Sequence, residues 1–135
     1  MMKTYHGSCH CGAIRFECDL DLAKGTSKCN CSACAKARFW KAIVMVDSFR
    51  LKQGAESLSD YQFGQKVIHH LFCKTCGVKP FGRANVPELG GAFYAVNLAC
   101  LDDATPEELA AAPVQYEDGR NDRWDAAAPA VTRHL

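Results

Sequence analysis

Cys29-Asn30-Cys31-Ser32-Ala33-Cys34 puts three thiols into six residues, with Lys28 before them and Lys36 after. Structural zinc is four-coordinate and takes thiolate sulfur readily, and short spacings let one turn offer several sulfurs to one ion. Two further clusters share this character: Cys9-His10-Cys11-Gly12 and Cys73-Lys74-Thr75-Cys76-Gly77. Cys9, Cys11, Cys73 and Cys76 form two tight pairs far apart in sequence, and joining them on one ion clips the N-terminal part of the chain to its middle. That leaves Cys29, Cys31 and Cys34 as a set of three. Two zinc ions want eight ligands and the clusters supply seven. A fourth ligand for the triplet could come from His10, His69, His70 or Cys100, from a bound small molecule, or from nothing if the thiols hold no metal. The count alone leaves these open.

The 135 residues suffice for one domain, 1–135. Hydrophobic residues make up 48% and charged residues 23%, an ordinary globular balance. A formal net charge of +1 argues against nucleic acid as a partner. No apolar run spans a bilayer, and Met1 to His6 lacks the apolar core of a signal peptide, so the expected location is the cytoplasm with no membrane partner. Nine cysteines in a reducing compartment read as metal ligands or reactive thiols rather than disulfides. An open zinc position beside three thiolates suits the capture of a small thiol as thiolate. Lys28, Lys36, Arg38 and Lys41 surround the triplet in sequence and could pair with carboxylates on such a thiol.

The rest of the chain reads mainly as strands. Ile14, Phe16 and Cys18 alternate with charged residues, which describes a strand with one buried face. Phe39 to Val46, Phe49 to Lys52, Leu58 to Phe63, Lys66 to Phe72 and Ala92 to Leu101 are further strand candidates. Cys18 and Cys100 fall on apolar faces and read as core. Leu20 to Lys28 reads as a loop and Tyr116 to Leu135 as irregular. One helix is signalled: Thr105-Pro106-Glu107-Glu108 is a capping box with proline at the first helical position, and Pro113 ends the segment.

These residues resemble a known family. Gly7-Ser8-Cys9-His10-Cys11-Gly12, the triplet, and Phe72-Cys73-Lys74-Thr75-Cys76-Gly77 look like the glutathione-dependent formaldehyde-activating enzymes, a family also described by the centromere protein V type domain. Tyr61 to Gly64, Val96 to Asp102 and Asp118 to Trp124 continue the likeness over nearly the whole chain. The resemblance implies a mainly β, β-tent-like fold of zinc-stapled antiparallel sheets with one short C-terminal helix. It implies two zinc ions: a structural one on Cys9, Cys11, Cys73 and Cys76, and one with an open position on Cys29, Cys31 and Cys34. It further implies a carbon–sulfur lyase that adds a thiol such as glutathione to a small aldehyde, formaldehyde, giving S-(hydroxymethyl)glutathione. A non-catalytic thiol carrier and a protein-interaction module with two structural zincs are the competing readings.

Overall fold

The structure is a computed structural model and describes residues 1–124 and 128–135. Its strands are β1 (Lys3–Ser8), β2 (Arg15–Leu20), β3 (Thr26–Cys29), β4 (Trp40–Met45), β5 (Phe49–Gln53), β6 (Leu58–Tyr61), β7 (Ile68–Cys73), β8 (Phe81–Val86), β9 (Gly91–Asn97) and β10 (Val114–Glu117). Helices α1 (Ser32–Ala37) and α2 (Pro106–Ala111) complete the regular structure, with short 3-10 turns between. A small antiparallel sheet runs β1-β2-β5, and a larger one runs β10-β3-β4-β9-β8-β7-β6.

Alternation drives the small sheet. Phe16, Cys18 and Leu20 of β2 are buried while the residues between them are more open. Gly7, opposite Phe16 in the β1–β2 register, has no side chain because none fits: a Cβ there would lie 2.2 Å from the Phe16 ring. The core sits between the sheets. Phe16 of β2 and Phe49 of β5 meet Phe81 of β8 and Tyr94 of β9, with ring centroids between 3.9 and 5.7 Å apart in stacked and edge-on pairs. Each such pair contributes about 0.5–1.5 kcal/mol beyond its buried area.

The fold class expected from the resemblance is corrected. Both sheets are open, neither closing nor curling into a tent. The described residues hold two helices rather than one C-terminal helix, and β10 pairs with β3 in parallel. The unexpected helix is α1, which carries the triplet. Cys31 caps its N-terminus, and Ala33, Ala35 and Ala37 supply high helix propensity, so a segment read as a metal turn is one helical turn and a half. Strand β3 falls in a segment expected to be a loop, and β10 begins just ahead of the tail expected to be irregular. Their Thr-Ser-Lys and Val-Gln-Tyr-Glu sequences show no apolar alternation. Their pairing continues a backbone bond from Thr26 N–H to the Pro113 carbonyl at 2.8 Å.

The apolar run from Ala92 to Leu101 is not one strand. Asn97 accepts a hydrogen bond from the Ala99 N–H at 3.1 Å, and this side-chain turn ends β9 and starts a 3-10 turn over Leu98–Cys100. Helix α2 lies where the capping box predicted it: Thr105 Oγ1 accepts from the Glu108 N–H at 3.1 Å, and the Glu108 side chain reaches back to the Thr105 N–H. Cys18 and Cys100 are in the core, and burial pushes their thiols up to about 12 and about 11. Part of the tail, 125–127, lies outside the described residues. No described helix is long and apolar enough to cross a membrane.

Candidate functional site

The first cysteine set comes from two tight turns, one on each sheet. Cys9 and Cys11 sit in the β1–β2 turn, and Cys73 and Cys76 at the end of β7. Each turn closes on a glycine with positive φ, Gly12 at 80° and Gly77 at 78°, a backbone state that costs glycine nothing. The four Sγ atoms lie within 4.8 Å of one another, with Cys9 to Cys11 at 3.7 Å and Cys11 to Cys73 at 3.6 Å. Tetrahedral zinc with Zn–S bonds of about 2.3 Å sets its sulfurs about 3.8 Å apart, which these two separations match. Backbone N–H groups aim at the sulfurs, from Ile14 to Cys9 and from Thr75 and Cys76 to Cys73, each at 3.4 Å. The N–H of Val78, then that of Cys11, hold the Cys76 thiol down at about 6.

The second set is Cys29 at the end of β3, Cys31 at the cap of α1, and Cys34 in its first turn. A cap followed three positions later by a helical residue brings both sulfurs to the same helix end, and the strand end supplies the third. The three Sγ atoms also lie within 4.8 Å of one another. Among the described residues no histidine, carboxylate or further cysteine joins them. Hydrogen bonding from Cys29 and then Cys34 holds the Cys31 thiol far below the ordinary range, and the same contacts push Cys34 upward. Cys31 N–H donates to Cys29 Sγ and Cys34 N–H to Cys31 Sγ, both at 3.4 Å.

A second layer fixes the triplet loop. Asn30 Nδ2 donates to Asp118 at 2.9 Å, Asn30 Oδ1 accepts from the Arg120 N–H at 2.9 Å, and Asn121 donates to the same Asp118 carboxylate. Donation from Asn121, then Asn30, holds the Asp118 carboxyl below its usual range. Gly119 in this loop lies against the triplet: a Cβ there would be 2.5 Å from Cys29 Sγ and 2.6 Å from the Trp124 ring.

Beside the triplet opens a cleft of about 700 Å³, floored by α1 residues such as Ser32 and Lys36 and walled by Tyr61, Phe63, His70 and Lys79. Phe63 stacks on His70 with centroids 5.3 Å apart. Lys79 Nζ donates to His70 Nδ1 at 2.7 Å and lies 4.0 Å from the Phe39 ring centroid. Burial, then the Lys79 charge, keeps His70 below its ordinary range and neutral, so its Nδ1 is an acceptor. Burial also lowers Lys79, opposed by the charges of Cys34 and Cys31. A second concavity, of about 660 Å³, lies over β3, β4 and β10.

The candidate fourth ligands divide cleanly. His10 is exposed, and His69 binds Asp60 at 2.6 Å on the other face of β7. His70 faces the cleft but gives its Nδ1 to Lys79, and Cys100 lies in the core. Of the four cations flanking the triplet in sequence, only Lys36 lines the cleft. Lys41 pairs with Glu117 at 2.6 Å, Lys28 donates to the Leu135 carbonyl at 3.2 Å, and Arg38 closes α1 in the left-handed conformation. Lys79 and His70 are the cleft groups that sequence reasoning passed over as a pair. Their only signal was position, each lying three residues from a cysteine of the other cluster.

Two convergent thiol clusters thus lie beside a mainly apolar cleft. The sequence family described as glutathione-dependent formaldehyde-activating enzyme matches residues 4–118. The chain belongs to that family. Membership places its activity in formaldehyde and thiol chemistry, and the two clusters are where this formaldehyde-activating-enzyme relative could hold metal ions. It is also similar to a Rhodobacter sphaeroides protein of known crystal structure, with 32% identity over 82% of this chain and 99% of the other, at a TM-score of 0.69.

Proposed function

We propose that the protein is a zinc-dependent carbon–sulfur lyase that forms and cleaves the S-hydroxymethyl adduct of a glutathione-type thiol. The observation that carries this reading is the donor count: four converging sulfurs in one cluster and three in the other, with no fourth protein donor beside the three among the described residues. A saturated thiolate site suits a structural role, and an unsaturated one keeps a position for substrate. Zinc at Cys29, Cys31 and Cys34 would supply a soft acceptor that binds an incoming thiol in its thiolate form.

The chain's own residues do the rest. Cys29, Cys31 and Cys34 fix where the substrate sulfur sits, because β3 and the α1 cap hold them rigidly. Tyr61, Phe63 and His70 form a stacked wall that keeps water from one side of the reacting carbon. Lys36 offers a cation at the cleft rim for a carboxylate of the tripeptide. In the cluster of four, a metal would tie the β1–β2 turn of the small sheet to the β7–β8 connection of the large one, where binding free energy is folding free energy.

Exchange NMR on mixtures of glutathione and formaldehyde tests the proposal. The zinc-loaded protein is expected to speed interconversion of the free thiol and its hydroxymethyl adduct above the uncatalysed exchange. Glutathione binding with no acceleration at stoichiometric protein makes it a carrier instead.

A further inference from the structure

Addition of a thiolate to an aldehyde creates negative charge on oxygen, and that charge needs a donor. A zinc on Cys29, Cys31 and Cys34 that also took a substrate sulfur would have its four ligands, which would leave the aldehyde oxygen to groups of the cleft. Lys36 stands at the exposed rim, and His70 is neutral, with Nδ1 accepting from Lys79 and an Nε2–H far less acidic than an ammonium. Lys79 differs from both. Its neighbour in charge, Lys41, is paired with Glu117, whereas no carboxylate among the described residues pairs with Lys79. A half-buried ammonium with no carboxylate beside it is costly, and the negative groups that favour it are the thiols of Cys34 and Cys31, which places Lys79 on the triplet side of the cleft.

Lys79 is also held still. Its Nζ is fixed between His70 Nδ1 at 2.7 Å and the Phe39 ring at 4.0 Å. Its carbonyl accepts from Asn97 Nδ2 at 2.9 Å, and Pro80 restricts its backbone. An ammonium has three N–H donors, and His70 takes one, leaving N–H free for the cleft.

We propose that Lys79 is a catalytic residue whose ammonium receives the aldehyde oxygen and protonates it as the sulfur–carbon bond forms. The inference rests on the lyase reading above. The thiolate electron pair forms the C–S bond, the C=O π pair moves onto oxygen, and an Nζ proton passes to that oxygen to give the hydroxymethyl adduct. The neutral amine then regains a proton from solvent. Cleavage runs these transfers backward.

The test compares zinc-loaded wild type, Lys79→Met and Lys79→Arg by zinc content, by calorimetric glutathione binding and by formaldehyde–glutathione exchange NMR. Lys79→Met should keep its zinc and its glutathione affinity while the exchange slows about 10²–10⁴-fold, the usual contribution of a positioned acid. Lys79→Arg should stay slow, because a guanidinium keeps the charge without releasing a proton. Unimpaired exchange in Lys79→Met, full exchange in Lys79→Arg, loss of zinc, or a loss confined to glutathione affinity would each overturn it. A wild type that accelerates nothing defeats the lyase reading and this one together, whereas an active wild type with an equally active Lys79→Met defeats this one alone.

Discussion

Gly119 shows how much of the site is decided by single atoms away from the ligands. Its backbone is not among the positive-φ glycines, so an alanine there meets no conformational penalty, only the Cys29 sulfur at 2.5 Å and the Trp124 ring at 2.6 Å. Gly119→Ala should therefore push Cys29 out of line and weaken the second metal by about 10–100-fold, the range seen when an outer contact of a metal site is lost. A zinc competition titration checks this, and an unchanged affinity would contradict it. At this scale the cysteines were legible, because C-x-C and C-x-x-C spacings carry geometry in the sequence itself. Lys79 was not. Its partners His70, Phe39 and Asn97 come from three separate segments, and nothing local to Lys79 announces that they converge.

Each cysteine cluster is mounted on different elements, and this divides their effects. Cys73 is fully buried where β7 enters its turn, and its cluster bridges the two sheets. Cys31 and Cys34 sit on a short helix packed beside the cleft, joined to the rest by β3 and the Asn30–Asp118 bond. Cys73→Ser should lower the melting temperature by about 10 °C or more, since it removes metal-linked folding energy. Cys31→Ser should lose one of the two ions with a shift of only about a few degrees. Thermal melts with metal analysis decide it, and equal melting temperatures would contradict the division. Capping chemistry made α2 readable, as Thr105, Pro106 and Glu108 form a local code. Helix α1 was hidden because its cap is a cysteine, a residue whose metal reading overshadows its role as an acceptor for the Cys34 N–H.

Across the molecule, alternation pointed to β2 and β5, and aromatic and β-branched content to β4, while β7 was read from its run into Cys73; each of these strands puts side chains into the core. Strands β3 and β10 were missed because they pair through backbone at a polar edge, and their parallel register depends on where α2 returns the chain. That pairing also brings the Asp118 loop against Cys29, so the least legible part of the fold is what braces the candidate site.

The central claim concerns sulfur number at two ions, and zinc-edge X-ray absorption counts it directly. With seven protein thiols over two ions, the loaded protein should average about 3.5 sulfurs per zinc, rising to four when glutathione is added. An average already at four without glutathione, or one that glutathione leaves unmoved, would contradict the account.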